Sequence, residues 1–148
     1  MSPTRWLRVA SILTLIHAIL HTIGGVYGTP DPGPMQIAVD VMKANTFPVM
    51  GHTRSMWAFY HGMGLAVTIF LTIEAIVFWV IGTIIRDHKA HLRDLLVLFV
   101  IGYMALAVNS LRYFFYPPVI VELLIAACLV MAILSTKQKQ PTRPESLG

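Results

Sequence analysis

The chain has 148 residues, 56% hydrophobic and 12% charged, a net charge of +4 and a mean hydropathy of +0.70. Soluble domains of average composition carry about 25% charged residues, so these values exclude an ordinary water-soluble domain, and the length leaves room for one compact domain. The basic balance is read as membrane anchoring and not as nucleic-acid binding, because no basic face with interleaved aromatics is present, and the single cysteine, Cys128, excludes an intrachain disulfide.

A hydrocarbon layer about 30 Å thick takes about 20 predominantly apolar residues to cross. Four runs meet that requirement, at about 7–27, 57–85, 95–115 and 119–135. The expected fold is therefore all-α, an integral membrane four-helix bundle within a single domain over 1–135, followed by a disordered basic tail over 136–148. Arg5 and Arg8 ahead of the first run would also suit a secretory signal. Two histidines interrupt that run and it is long enough to span, so it is expected to remain as a helix.

Span one contains LIHAILHTIGG, with His17 and His21 one helical turn apart and Gly24 and Gly25 close behind. The outer loop, 28–53, opens with the breaker GTPDPGP. Its next segment places Met35, Val39, Met42 and Phe47 at roughly helical spacing, which predicts a short amphipathic helix on the membrane surface. Pro48 and Gly51 then mark a break before Thr53 or Ser55 caps span two. Trp57, Phe59 and Tyr60 fit an interfacial aromatic belt. RDHKAHLRD is read as a polar connection with solvated His88 and His91, and Pro117 with Pro118 as the sharp turn between spans three and four.

Basic residues set orientation. Arg5, Arg8, Arg86, Lys89, Arg93, Lys137, Lys139 and Arg143 lie on one side, against Lys43, Arg54 and Arg112 on the other, which predicts both termini in the cytoplasm.

The elements HTIGGVYG, FPVMGHTRSMWAFYHGMGL and LRYFFYPPV, in this order, resemble an uncharacterised family of small four-span bacterial integral membrane proteins. The resemblance covers most of the chain. It implies a multi-pass protein of the bacterial inner (cytoplasmic) membrane and brings no substrate, reaction or cofactor.

Ionisable residues inside spans usually face the protein interior and mark candidate sites. Arg112 and Glu122 flank Pro117 by five residues each, so they share a depth and an ion pair between them is expected, with Asn109 on the face of Arg112. His21 and His61 lie in the outer half of their spans, Arg54 two turns before His61. His21, Arg54, Trp57, Tyr60, His61, Asn109, Arg112 and Glu122 are accordingly the candidates for an outward-facing pocket holding a small amphipathic or lipidic ligand. His17 and Glu74 are structural polar candidates, expected to bond to each other.

Two alternatives use the same residues. In one, Glu122 or Glu74 acts with a histidine as the acid or base of a membrane-embedded lipid-modifying enzyme such as an isomerase. In the other, His21 and His61 are axial ligands of haem b in an electron carrier. No metal site is predicted, because the pair His17 and His21 lacks a third ligand. Expected partners are the lipid bilayer and a small lipidic ligand, with a homo-oligomer compatible with either.

Overall fold

The structure, a computed structural model, describes residues 1–85 and 89–137. His88 and most of the predicted tail lie outside the described residues, and Thr136 and Lys137 belong to the last helix.

Helix α1 (Pro3–Leu20) starts where Ser2 accepts the Arg5 backbone N–H on its Oγ at 3.4 Å and Pro3 occupies the first turn, a position where its missing N–H has no cost. The helix continues as a wider turn over His21–Val26, in which the Tyr27 N–H donates to the Thr22 carbonyl five residues back at 3.0 Å. Helix α2 (Pro34–Ala44) is the predicted amphipathic helix. Val39, Met42 and the following Phe47 are half-buried, and Met35, Ile37 and Val41 are exposed.

The segment read from sequence as a simple break is a β-hairpin. Strand β1 (Thr46–Val49) pairs antiparallel with β2 (His52–Ser55), Phe47 opposite Arg54 and Val49 opposite His52. Met50 and Gly51 form the two-residue turn with φ of 48° and 82°. Positive φ at both positions is the geometry that suits the twist of a hairpin, and glycine adopts it without strain.

Ser55 then accepts the Ala58 N–H on its Oγ at 3.2 Å and caps α3 (Met56–Ile84), as expected for one of the two candidate caps. Helix α4 (Lys89–Tyr113) begins earlier than expected, so that His91 is helical and not part of a loop. The turn to α5 (Tyr116–Lys137) is made by Phe114 and Phe115, while Pro117 and Pro118 sit in the first turn of α5. Four helical segments, Pro3–Val26, Met56–Ile84, Leu92–Tyr113 and Tyr116–Thr136, are long and apolar enough to cross a membrane.

The chain divides into two units. Unit 1 comprises Met1–Thr14 and Glu74–Gly148, unit 2 Leu15–Ile73. Unit 1 is a four-helix packing around one core: Leu7 and Ala10 of α1, Phe78, Ile81 and Ile85 of α3, Leu96 and Tyr103 of α4, and Ile125, Ala126, Cys128, Leu129 and Ala132 of α5. Phe78 meets Phe99 edge-on at 4.9 Å between centroids, and the Arg8 guanidinium lies 3.4 Å above the Trp79 ring. Unit 2 holds the end of α1, α2, the hairpin and the first part of α3.

Around this apolar core many large apolar side chains are exposed and a few polar ones are buried. Ser11, Thr14, Ser110 and Glu122 are buried, while Leu98 and Val108 are 64% and 65% exposed.

The hairpin turn is tested by substitution. Met50→Asn, which relieves positive φ on a methionine, is expected to slow amide exchange in 46–55, and Gly51→Val to speed it by roughly tenfold for about 1–2 kcal/mol of backbone strain. Hydrogen exchange read by mass spectrometry distinguishes the two.

Candidate functional site

In unit 2, α1 and α3 meet at the Gly64 carbonyl. His21 Nε2 lies 3.1 Å from it and the Thr68 hydroxyl donates to it at 3.3 Å. A Cβ on Gly64 would stand 3.0 Å from the Val26 methyl, so the missing side chain permits this approach. Gly25 has a related role, since a Cβ there would come within 3.2 Å of His21 Nδ1. The glycine beside the histidine makes room for the ring, and the ring ties two helices together.

Thr22 adds a second tie one residue on. Its hydroxyl lies 2.6 Å from the Ala18 carbonyl and 2.9 Å from the Thr68 hydroxyl, and the bond across to Thr68 uses the hydrogen that one of the two threonines otherwise gives to its own helix. Beside this pair lies an open groove of about 190 Å³ lined by Leu15, Ala18, Ile19, Thr22, Ile23, Thr68 and Thr72. Apart from the threonine hydroxyls its walls are apolar.

Further toward the start of α3, His61 is flanked by the Tyr27 ring, edge-on at 5.4 Å, and the Trp57 ring, stacked at 6.1 Å. Trp57 also contacts Tyr60 at 5.5 Å, and the Lys43 ammonium lies 4.8 Å from the Trp57 ring centroid. His61 Nδ1 is buried and has no hydrogen-bond partner among the described residues. His61, Gly64, Thr68 and Thr72 fall within one stripe of α3, at successive steps of three and four residues, so the aromatic cluster and the groove share a face. Arg54 is exposed on β2 and donates to its neighbour's carbonyl, that of Thr53, at 3.0 Å.

Among the pocket candidates, His21, Arg54, Trp57, Tyr60 and His61 therefore belong to unit 2, whereas Asn109, Arg112 and Glu122 belong to unit 1. The expected Arg112–Glu122 pair is replaced by another contact. Ser110 donates to Glu122 Oε1 at 2.9 Å, and Oε2 is buried without a partner among the described residues. Arg112 is exposed, its guanidinium 5.8 Å from the Tyr113 ring centroid. Equal depth on two helices does not fix which way each side chain faces: Ser110 is on the buried side of α4, and Arg112, two residues on, is turned about 200° away.

The expected His17–Glu74 bond is likewise replaced. Glu74 Oε2 lies 2.8 Å from the Tyr103 hydroxyl, and that hydroxyl also lies 3.3 Å from Thr14 Oγ1. His17 Nδ1 is buried without a partner among the described residues. Ser11 donates to the Ala75 carbonyl at 2.6 Å. Sequence reading missed Ser11, Thr14, Tyr103 and Ser110 because hydroxyl residues in spans commonly bond to their own helix. Position offered one usable sign: Tyr103 lies mid-span, away from the interfaces where tyrosine is enriched.

His21 and His61 thus have different partners, a backbone carbonyl and two aromatic rings. Axial ligation by both would require His21 Nε2 to leave Gly64. The partners of Glu74 and Glu122 among the described residues are hydroxyls, not the histidine that an acid–base pair was expected to use. No group of three or more His, Cys, Asp or Glu side chains among the described residues is placed to hold a metal ion. Compared with known proteins, the chain matches no family model, no curated protein and no solved structure.

The Gly64 junction orders a set of variants by stability. Gly64→Leu crowds Val26 and is expected to cost about 1–3 kcal/mol, while His21→Phe removes one bond at about 1 kcal/mol. Thermal unfolding in a single detergent measures both, and a Gly64→Leu protein as stable as the wild type contradicts the junction.

Proposed function

We propose that this protein is a multi-pass integral membrane protein of the bacterial inner membrane, both termini cytoplasmic, and that unit 2 binds a small amphipathic or lipidic ligand. The observation that carries the reading is the open groove between Leu15–Ile23 and Thr68–Thr72, on the same face of α3 as the His61 cluster. An alkyl chain suits the groove walls, with the threonine hydroxyls as the few polar groups typical of ligand pockets.

The polar end of such a ligand belongs at the start of α3. There the half-buried imidazole of His61 supplies a polar ring between Tyr27 and Trp57, and Trp57, Tyr60, Lys43 and Arg54 supply aromatic and cationic surface. The His21–Gly64 tie lies between cluster and groove along α3, so the ligand passes around the outer edge of Gly64. His21 in this account shapes the site and His61 contacts the ligand.

Support for membrane residence comes from the four long apolar segments and from the large apolar side chains exposed on the helices of unit 1, Leu98, Ile101, Val108 and Leu111 among them. Orientation rests on the basic residues, with Arg5, Arg8, Arg86, Lys89, Arg93, Lys137, Lys139 and Arg143 on one side against Lys43, Arg54 and Arg112 on the other.

Mass spectrometry of molecules that copurify with the protein in mild detergent tests the ligand. The wild type is expected to retain a distinct amphiphile, Ile19→Trp, which fills the groove mouth, to lose most of it, and Ile101→Trp on α4 to retain it. Equal retention by all three proteins, or the bulk lipid composition in each, contradicts the reading. A reporter active only in the cytoplasm, fused after Lys137, is expected to be active.

A further inference from the structure

Three contacts run in line through unit 1. The Thr14 hydroxyl lies 2.9 Å from the Ala10 carbonyl and 3.3 Å from the Tyr103 hydroxyl, which in turn lies 2.8 Å from Glu74 Oε2. Each hydrogen bond needs one hydrogen. Thr14 and Tyr103 bring one each, the carbonyl brings none, and an ionised carboxylate brings none.

Three contacts with two hydrogens leave one pair of oxygens facing each other through lone pairs. A proton on Glu74 supplies the third. The order is then Glu74 O–H to Tyr103, Tyr103 O–H to Thr14, and Thr14 O–H to the Ala10 carbonyl. Without that proton both hydroxyls rotate: Thr14 donates to Tyr103, Tyr103 donates to Glu74, and the Ala10 carbonyl keeps only its helical bond.

The surroundings favour a neutral chain. Thr14 is 0% and Tyr103 1% exposed, and Phe78 packs against Tyr103 at 6.1 Å between centroids. Glu74 lies ten residues before the end of α3, about 15 Å along the axis and so near mid-span, where an unpaired charge is costly. On α1, Arg8 is engaged with Trp79, Arg5 is exposed, and His17 follows Thr14 by three residues. On α4, Arg93, Asp94 and Arg112 are exposed, and on α5 the buried titratable groups are Glu122, bonded by Ser110, and Cys128. Among the described residues, the hydrogen-bond partner of Glu74 is Tyr103.

We propose that Glu74, Tyr103 and Thr14 form a proton-binding site, in which one exchangeable proton resides on Glu74 and its departure reverses the two hydroxyls that join α3, α4 and α1. The proton comes from water and returns to it. Only the Glu74 O–H bond forms or breaks; Tyr103 and Thr14 keep their hydrogens and rotate. The site is independent of the ligand proposed for unit 2.

Infrared difference spectroscopy of the whole protein in lipid bilayers, titrated in H2O and D2O, tests the site. The wild type is expected to show a protonated-carboxyl C=O band at neutral pH that shifts down in D2O, is missing in Glu74→Gln and persists in Glu122→Gln. In Tyr103→Phe the band moves to higher wavenumber as the carboxyl loses its acceptor, and Thr14→Val moves it less. Circular dichroism checks that each variant is helical, and if Glu74→Gln does not fold, the shift in Tyr103→Phe makes the same assignment. A band absent in the wild type at every pH at which it stays helical, or unmoved by both Tyr103→Phe and Thr14→Val, overturns the proposal.

Discussion

Polar side chains that reach from one apolar helix to another organise this molecule. Ser11 reaches the Ala75 carbonyl, Tyr103 reaches Glu74, and Ser110 reaches Glu122, all within unit 1. His21 and Thr22 reach Gly64 and Thr68 within unit 2. In the bilayer proposed for this chain, burying apolar surface between helices adds little, because lipid tails are equally apolar. Close packing at small residues and interhelical bonds of about 0.5–1.5 kcal/mol each then set which helix faces which.

The two histidines of LIHAILHTIGG illustrate how such contacts divide labour. They share a helical face, yet the widened turn begins at His21 and carries its ring onto the Gly64 carbonyl, with Gly25 leaving space for it. His17 remains on the regular helix with Nδ1 unpartnered among the described residues. His21, one of the residues expected to line the pocket, is a tie between helices, and the unpartnered ring nitrogen beside the Tyr27 and Trp57 rings is that of His61.

The long elements were legible in the sequence because length and hydropathy alone determine them. The observed segments differ from the expected ones by a few residues at each end, and α2 and the Ser55 cap follow from local spacing. The hairpin was not legible: Met50-Gly51 lacks the Asn or Asp that usually announces such a turn, and Pro48 within β1 argued against a strand. The site was legible only as residue types. Arg112 and Glu122 lie on consecutive helices, but rotation about each axis decides partners, and a one-residue change in contact turns a side chain by about 100°. The small and hydroxyl residues that complete each contact, Gly64, Thr14, Ser110 and Tyr103, carry no distinctive pattern by themselves.

The claim on which the whole account depends is that lipid covers the apolar outer faces while the polar groups stay inside. Spin labels placed singly along α4 in bilayers, with their accessibility to oxygen and to a water-soluble relaxant, test it most directly. The account predicts high oxygen accessibility at Leu98, Ile101, Val108 and Leu111 and low accessibility to both agents at Leu96, Tyr103, Ala107 and Ser110, repeating at the helical period. High accessibility of Leu98, Ile101 and Val108 to the water-soluble agent would contradict it.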